Sequence, residues 1–168
     1  NSLAVINMCA SDAANFFAGA NLQRMQELYA DSIQFSEQRK QLIFMVKSQL
    51  VQRTVSKLIG TGDEPEYSSE GRDILASNSS VLRSHHYQTA YISFIFRSYD
   101  DAVENIEKYL AFQETTWGHL LLAHAVHAFY AGLISFWVAR KSKEQKWYQR
   151  GHRSKLALRG WADSSQWT

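Results

Sequence analysis

A chain of 168 residues that is 45% hydrophobic and 13% aromatic is long enough to bury a core and too apolar for wholesale disorder. Its formal net charge of +2 makes charge a local clue: from Arg140 to Arg159 eight Lys and Arg stand against one acid, Glu144, while the rest holds ten basic and fifteen acidic residues. The single Cys9 excludes an internal disulfide and a thiolate zinc site, and it reads as a small buried hydrophobe.

The sequence opens Asn1-Ser2-Leu3 with no basic segment ahead of an apolar run, so no signal peptide is expected. The chain reads as one helical region over 1–168, a piece of a longer polypeptide in a cytoplasmic setting. Only one Pro, Pro65, interrupts it, and apolar residues recur at three- and four-residue steps. A first helix is expected from about Leu3 to Phe17, stopped by Gly19. Asn21 then caps a second, whose stripe Leu22, Met25, Tyr29, Ile33 lies on one face. The short link makes these two an αα-hairpin.

A third helix, about Lys40 to Ile59, carries Leu42, Ile43, Val46, Leu50, Val51, Val55 and Leu58, with Lys47, Gln52, Arg53 and Lys57 toward solvent. It ends at Gly60-Thr61-Gly62. The interval 60–80 crowds Gly, Ser, Pro65 and the acids Asp63, Glu64 and Glu66, and reads as an internal loop with at most a helical turn at Ile74-Leu75. Beyond it His86, Ala90, Tyr91, Phe94 and Ile95 make a helix that breaks near Ser98. Tyr99, Ala102, Val103, Ile106, Tyr109 and Leu110 make its return partner, opened by Asp100 and Asp101 at the positive end of the helix dipole. A long helix, about Trp117 to Ala139, and its partner, about Glu144 to Asp163 with Trp147, Gly151, Ser154, Leu158 and Trp161 on one side, complete the train.

Leu120 to Ala139 contains no charged residue and is followed by Arg140, Lys141 and Lys143, which is the pattern of a membrane span. Against that reading stand His124 and His127 within it, its small residues Ala123, Ala128, Ala131 and Gly132, and the amphipathic character of every other helix. A helix apolar on all sides also suits the inner layer of a packed helical protein. A buried helix is expected.

From His85 to Phe112 the two helices occupy just under the repeat of about thirty-four residues used by tetratricopeptide units. Small Ala90, aromatic Tyr99 and small Ala102 come in the order that lets two helices cross closely. Such a unit must stack on neighbours to bury its faces. The fold class expected is all-α, a tetratricopeptide-like array of antiparallel helix pairs, an α-solenoid of about six to eight helices. Ala90, Tyr99, Ala102, Ala128, Tyr130 and Trp161 are its packing residues.

The turn Tyr99-Asp-Asp-Ala102, the core His127-Ala-Phe-Tyr130 and the helix end Leu158-Arg-Gly-Trp-Ala162 resemble the tetratricopeptide-like region of large signalling proteins. Those proteins carry an AAA-type ATPase module and often a Ser/Thr kinase, histidine kinase or cyclase domain. The resemblance covers most of the chain, best after His85, and implies a scaffold that binds proteins or neighbouring domains. Two departures stand against it: there is no phosphate-binding Gly-rich loop ending in Lys-Ser/Thr, and the chain stops at Trp167-Thr168 where the family would continue into another helix.

Chemistry-bearing constellations are weak. His119, His124 and His127 with Glu114 lack the spacing of a zinc site and read as core or groove histidines. His85-His86 reads as a polar pair at a helix start. No Gly-x-Ser-x-Gly turn occurs, Gly60-Thr-Gly-Asp lacks the lysine of a phosphate loop, and Asp100-Asp101 with Glu104 read as helix-start acids. Asn78-Ser79-Ser80 matches a glycosylation acceptor by chance. Neither catalytic residues, nor a cofactor, nor a metal is expected.

The remaining candidate binding face is basic: Lys146, Arg150, Arg153, Lys155 and Arg159, beside Trp147 and Tyr148. It could hold phosphate groups or an acidic segment, or serve only to solubilise a helix whose Trp147, Leu158 and Trp161 are buried. The function expected is a non-catalytic scaffold for protein-protein interaction or domain coupling within a multidomain ATPase or kinase signalling protein. A nucleic-acid-binding domain using the basic helix 144–162 is the alternative, and a membrane-embedded helix at 120–139 the third.

Overall fold

The computed structural model describes residues 19, 21–61, 66–112 and 121–164, with side chains from 125 onward in the sixth helix. It is all-helical among these residues: α1 (Leu22–Gln38), α2 (Leu42–Ile59), α3 (Ser69–Ser77), α4 (Ser79–Ile95), α5 (Tyr99–Ala111), α6 (Leu121–Ser142) and α7 (Gln145–Ser164). The helix expected over Leu3 to Phe17 lies outside the described residues. Gly19, its expected cap, has φ +67°, the left-handed conformation that such a cap adopts.

The Asn21 carboxamide accepts the Arg24 N–H at 3.1 Å and starts α1 where the sequence places it. Met25 and Tyr29 of its stripe are buried against Val51 and Val55 of α2. Gln26 reaches Ser56 and Ser32 meets Ser48, so early residues of α1 face late residues of α2. The turn between them runs through Lys40 at φ +55°, with the Lys40 N–H donating to Glu37 O and the Gln41 N–H to Ser36 O. The turn from α4 to α5 repeats this wiring: Arg97, at φ +62°, donates to Phe94 O and Ser98 to Ser93 O. A glycine usually holds that left-handed position, and a side chain there costs about 1–2 kcal/mol. Gly60, at φ +81°, ends α2 without that cost.

The interval 60–80, expected to be a loop, instead contains the nine-residue α3. Its start is fixed by Ser68, whose hydroxyl accepts the Gly71 N–H at 3.0 Å. The two apolar residues that suggested one turn, Ile74 and Leu75, pack with Met45, Val46 and Leu50 of α2. A short helix with so little apolar surface has a weak periodic signal, and its packing on α2 supplies the stability that its length does not.

Tyr67 lies under Arg53, Gly71 lies against Val46, and Ile74 and Ser77 border Leu42 to Phe44, so α3 runs back along α2. Asn78 then ends α3 and begins α4. Its N–H donates to Ile74 O while its side chain accepts the Val81 N–H at 3.1 Å. The reversal leaves α4 running in the same direction as α2, with Lys47 bonded to Ser80 at 2.9 Å and Val81 in the core of α2 and α3.

The third layer repeats the direction. Tyr87 meets His127, Tyr91 meets Tyr130 and Phe94 meets Trp137, so α4 and α6 also run the same way. The largest core joins Tyr87 and Ala90 of α4, Ile106 and Tyr109 of α5, Ala131, Ile134, Val138 and Ala139 of α6, and Trp147 of α7. No helix among the described residues is long and apolar enough to cross a membrane. The apolar α6 spends its sides on neighbours instead, since Ala131, Ile134 and Val138 are buried while Phe129 and Leu133 remain partly exposed.

The approach of α7 to α6 is set by Gly151, where an added Cβ would stand 2.8 Å from the Phe136 ring. Gly151→Ala is therefore expected to cost about 1–3 kcal/mol through a displaced ring. Gly160→Ala, with nothing within 4 Å, should be neutral or stabilising. Urea unfolding of both variants decides this, and equal stabilities would contradict the packing.

Candidate binding surface

The basic face anticipated on α7 is divided by its neighbour α5. Glu107 accepts Lys146 at 3.0 Å and Arg150 at 3.3 Å, and Glu144 takes a second contact from Lys146 at 3.0 Å. Both cations also lie over the Trp147 ring, Lys146 at 5.4 Å and Arg150 at 4.5 Å from its centroid. The hydrogen bond from Lys146, joined by the charges of Lys146 and Arg150, holds the Glu107 carboxyl below the usual range. Lys146 and Arg150 thus clamp α7 to α5 over a fully buried indole. Arg153, Lys155 and Arg159 remain on the exposed side, Arg159 with Asp163 at 3.9 Å.

The expected packing residues are buried to different degrees. Ala90 and Ala102 are fully buried. Tyr99 stands edge-on to Trp137, and Tyr130 edge-on to Tyr91. Ala128 and Trp161 are half-buried. Burial, then the Tyr109 charge, pushes Tyr87 well above an ordinary phenol, and burial with Tyr130 also raises Tyr91. These hydroxyls stay protonated and act as packing groups.

The histidine cluster considered for metal has only His127 with a described side chain, and its ring lies 3.8 Å from that of Tyr87. His119 and Glu114 lie outside the described residues, as does the side chain of His124. Among the described residues no group of three His, Cys, Asp or Glu is arranged to hold a metal ion.

A second concentration of charge is assembled from three helices. The expectation that His85-His86 begins a helix is corrected by Asn78, whose cap starts α4 at Ser79. Both histidines therefore lie in its second turn, between α2 and α5. His86 Nδ1 lies 2.9 Å from Asn105 Oδ1, and the Asn105 amide donates to Asp101 O at 2.9 Å. With that amide fixed as donor, Oδ1 accepts, and Nδ1 carries the proton. His85 is half-buried. Burial first, then the charges of His86, Arg53, Lys108 and Lys57, lowers its affinity for a proton. Two of those charges come from α2 and one from α5, besides its neighbour. Arg53 stacks on Tyr67 at 4.9 Å, and Lys108 pairs with Glu104 at 2.6 Å. His86 faces Phe112 at 6.1 Å.

The sequence holds one trace of this grouping, the basic side Arg53 and Lys57 of α2. It holds no trace of the meeting with Lys108, because the residues lie on separate helices. No family model, no curated protein and no solved structure matches the chain.

Two outcomes are expected from these contacts. Trp147→Ala should cost about 3–5 kcal/mol, as for other buried aromatic truncations. Glu107→Gln should cost much less, since its partners are half-exposed. Urea unfolding ranks the two. For His85, whose folded value lies below the ordinary 6.5, the unfolded chain binds the proton more readily. Stability is then full above that value and declines as pH falls below it toward the folded value. Unfolding at pH above and below that interval should show a smaller decline for His85→Gln than for the unaltered chain.

Proposed function

We propose that this chain is a non-catalytic helical-repeat scaffold that binds protein or peptide partners. The observation that carries the reading is that α2, α4 and α6 lie side by side in one direction. Contacts such as Lys47 with Ser80 and Tyr87 with His127 are offset by roughly one unit of about thirty-four residues. In this reading the repeats are α2/α3, α4/α5 and α6/α7, and α1 is the second helix of a preceding unit. They form a tetratricopeptide-like α-solenoid in which the second helix of the first pair is shortened to α3. Stacked units of this kind present extended surfaces that recognise partners by shape and a few polar anchors. A place within a multidomain ATPase or kinase signalling protein, with the array coupling its domains, rests on the resemblance carried by Tyr99-Asp-Asp-Ala102, His127-Ala-Phe-Tyr130 and Leu158-Arg-Gly-Trp-Ala162.

The test is selection of peptides from a random displayed library on the immobilised full chain, followed by titration of the recovered sequences against the chain in solution. Saturable binding by recovered peptides supports the scaffold reading. Failure to enrich any peptide, together with salt-dependent binding of an oligonucleotide that Arg153→Glu with Lys155→Glu abolishes, would replace it with nucleic-acid binding through α7.

A further inference from the structure

We infer that the outer face of α7, centred on Leu156 and flanked by Arg153, Lys155 and Arg159, docks an amphipathic helix of a partner protein whose acidic residues border an apolar stripe. The inference rests on the scaffold reading above and names the surface and the chemistry of its partner. Trp147, Gly151 and Ser154 form the side of α7 that packs on its neighbours. At about 100° per residue, Leu156 lies opposite them. It is 67% exposed, more than any other large hydrophobic among the described residues.

One exposed leucine is ordinary on a protein surface, and what marks this one is the charge around it. Arg153 borders it on one flank, and Arg159 on the other with Lys155 one turn before. Among the described residues no carboxylate pairs with Arg153 or Lys155. Arg159 meets Asp163 at 3.9 Å with both side chains largely exposed, and such a contact exchanges readily for another carboxylate. Gly160, one turn beyond Leu156, has nothing within 4 Å of where a Cβ would stand, so a partner backbone can come close there. A helix lying on this face covers Leu156 with aliphatic side chains, and carboxylates on its borders reach the cations on both flanks.

The same geometry favours a protein helix over a nucleic acid. A polyanion needs basic groups continued along its length, and exposed rings on which its bases stack. Lys146 and Arg150, which would continue the row, are held by Glu107. Trp147 is fully buried and offers no platform. An exposed leucine at the centre of the cations suits an apolar stripe better than a phosphate backbone.

The experiment is fluorescence anisotropy on the full chain with a labelled peptide of repeated Leu-Ala-Glu-Leu-Glu-Ala-Glu heptads, a scrambled peptide of the same composition, and a single-stranded DNA of equal charge. The heptad sets Leu on one face of a helix with Glu on its borders. It should bind, weaken by at least about tenfold in Arg153→Glu with Arg159→Glu and by at least about threefold in Leu156→Ala, and weaken as salt rises. All these positions are exposed. Thermal melting establishes that each variant is folded, and Arg153→Gln with Lys155→Gln gives the milder loss where charge reversal impairs folding. Absent binding of the heptad peptide, equal binding of the scrambled one, preference for the DNA, or insensitivity to the α7 variants would each overturn the inference. Self-association of the chain that these variants abolish would assign the face to a second copy and overturn it likewise. If library-selected peptides bind but ignore the α7 variants, this inference fails while the scaffold reading stands.

Discussion

Asn78 reverses the chain with a single residue, and the arrangement of everything after it follows from that reversal. Its backbone N–H closes α3 onto Ile74 O, and its side chain opens α4 by accepting from Val81. One asparagine can do both because the donor at the end of one helix is its backbone N–H and the acceptor at the start of the next is its side-chain oxygen. With no intervening loop, α4 must start beside the first half of α2 and run along it. The direction of α5 behind α4 and of α7 behind α6 then follows from the turns at Arg97 and Lys143, and α6 lies along α4 through its aromatic faces.

The two faces of α6 hold their neighbours by unlike means. Between α4 and α6 the contact is aromatic, through paired rings from Tyr87 and His127 to Phe94 and Trp137, and the polar tips of Tyr87 and Tyr91 are kept neutral by burial. Between α6 and α7 it is close backbone approach, at Gly151 under Phe136 and Gly132 beside Ser154. Small residues are what allow an apolar helix to be approached from several directions. The long uncharged run that resembles a membrane span is thereby used as the shared wall of a protein core.

Electrostatics divides the basic residues into two sets with different work. Lys146 and Arg150 reach across to α5, where Glu107 receives them beside the Trp147 ring. Such half-exposed pairs orient a helix more than they stabilise it, and the buried indole supplies most of the attachment. Arg53, Lys57 and Lys108 act on His85 instead, where their charges lower its affinity for a proton. One set ties α7 to α5, and the other bears on an imidazole of α4.

The amino-acid sequence by itself determined the helical class, the stripes of α1, α2 and α5, and most helix ends, because these depend on residues within a turn or two of one another. Asn21, Gly60 and Ser98 mark boundaries through local dihedral and hydrogen-bonding preferences, and Met25, Tyr29, Val51, Ile106 and Tyr109 declare their burial by spacing. It left α3 unread, since nine residues with two adjacent apolar side chains carry too little periodicity to compete with the Gly, Ser and Pro around them. It also presented Lys146 to Arg159 as one basic face, because spacing along a helix cannot register a carboxylate arriving from another. Only the tertiary structure decided that Glu107 divides that face and that His85 lies among cations from α2 and α5, since both depend on distances between helices that local chemistry does not set.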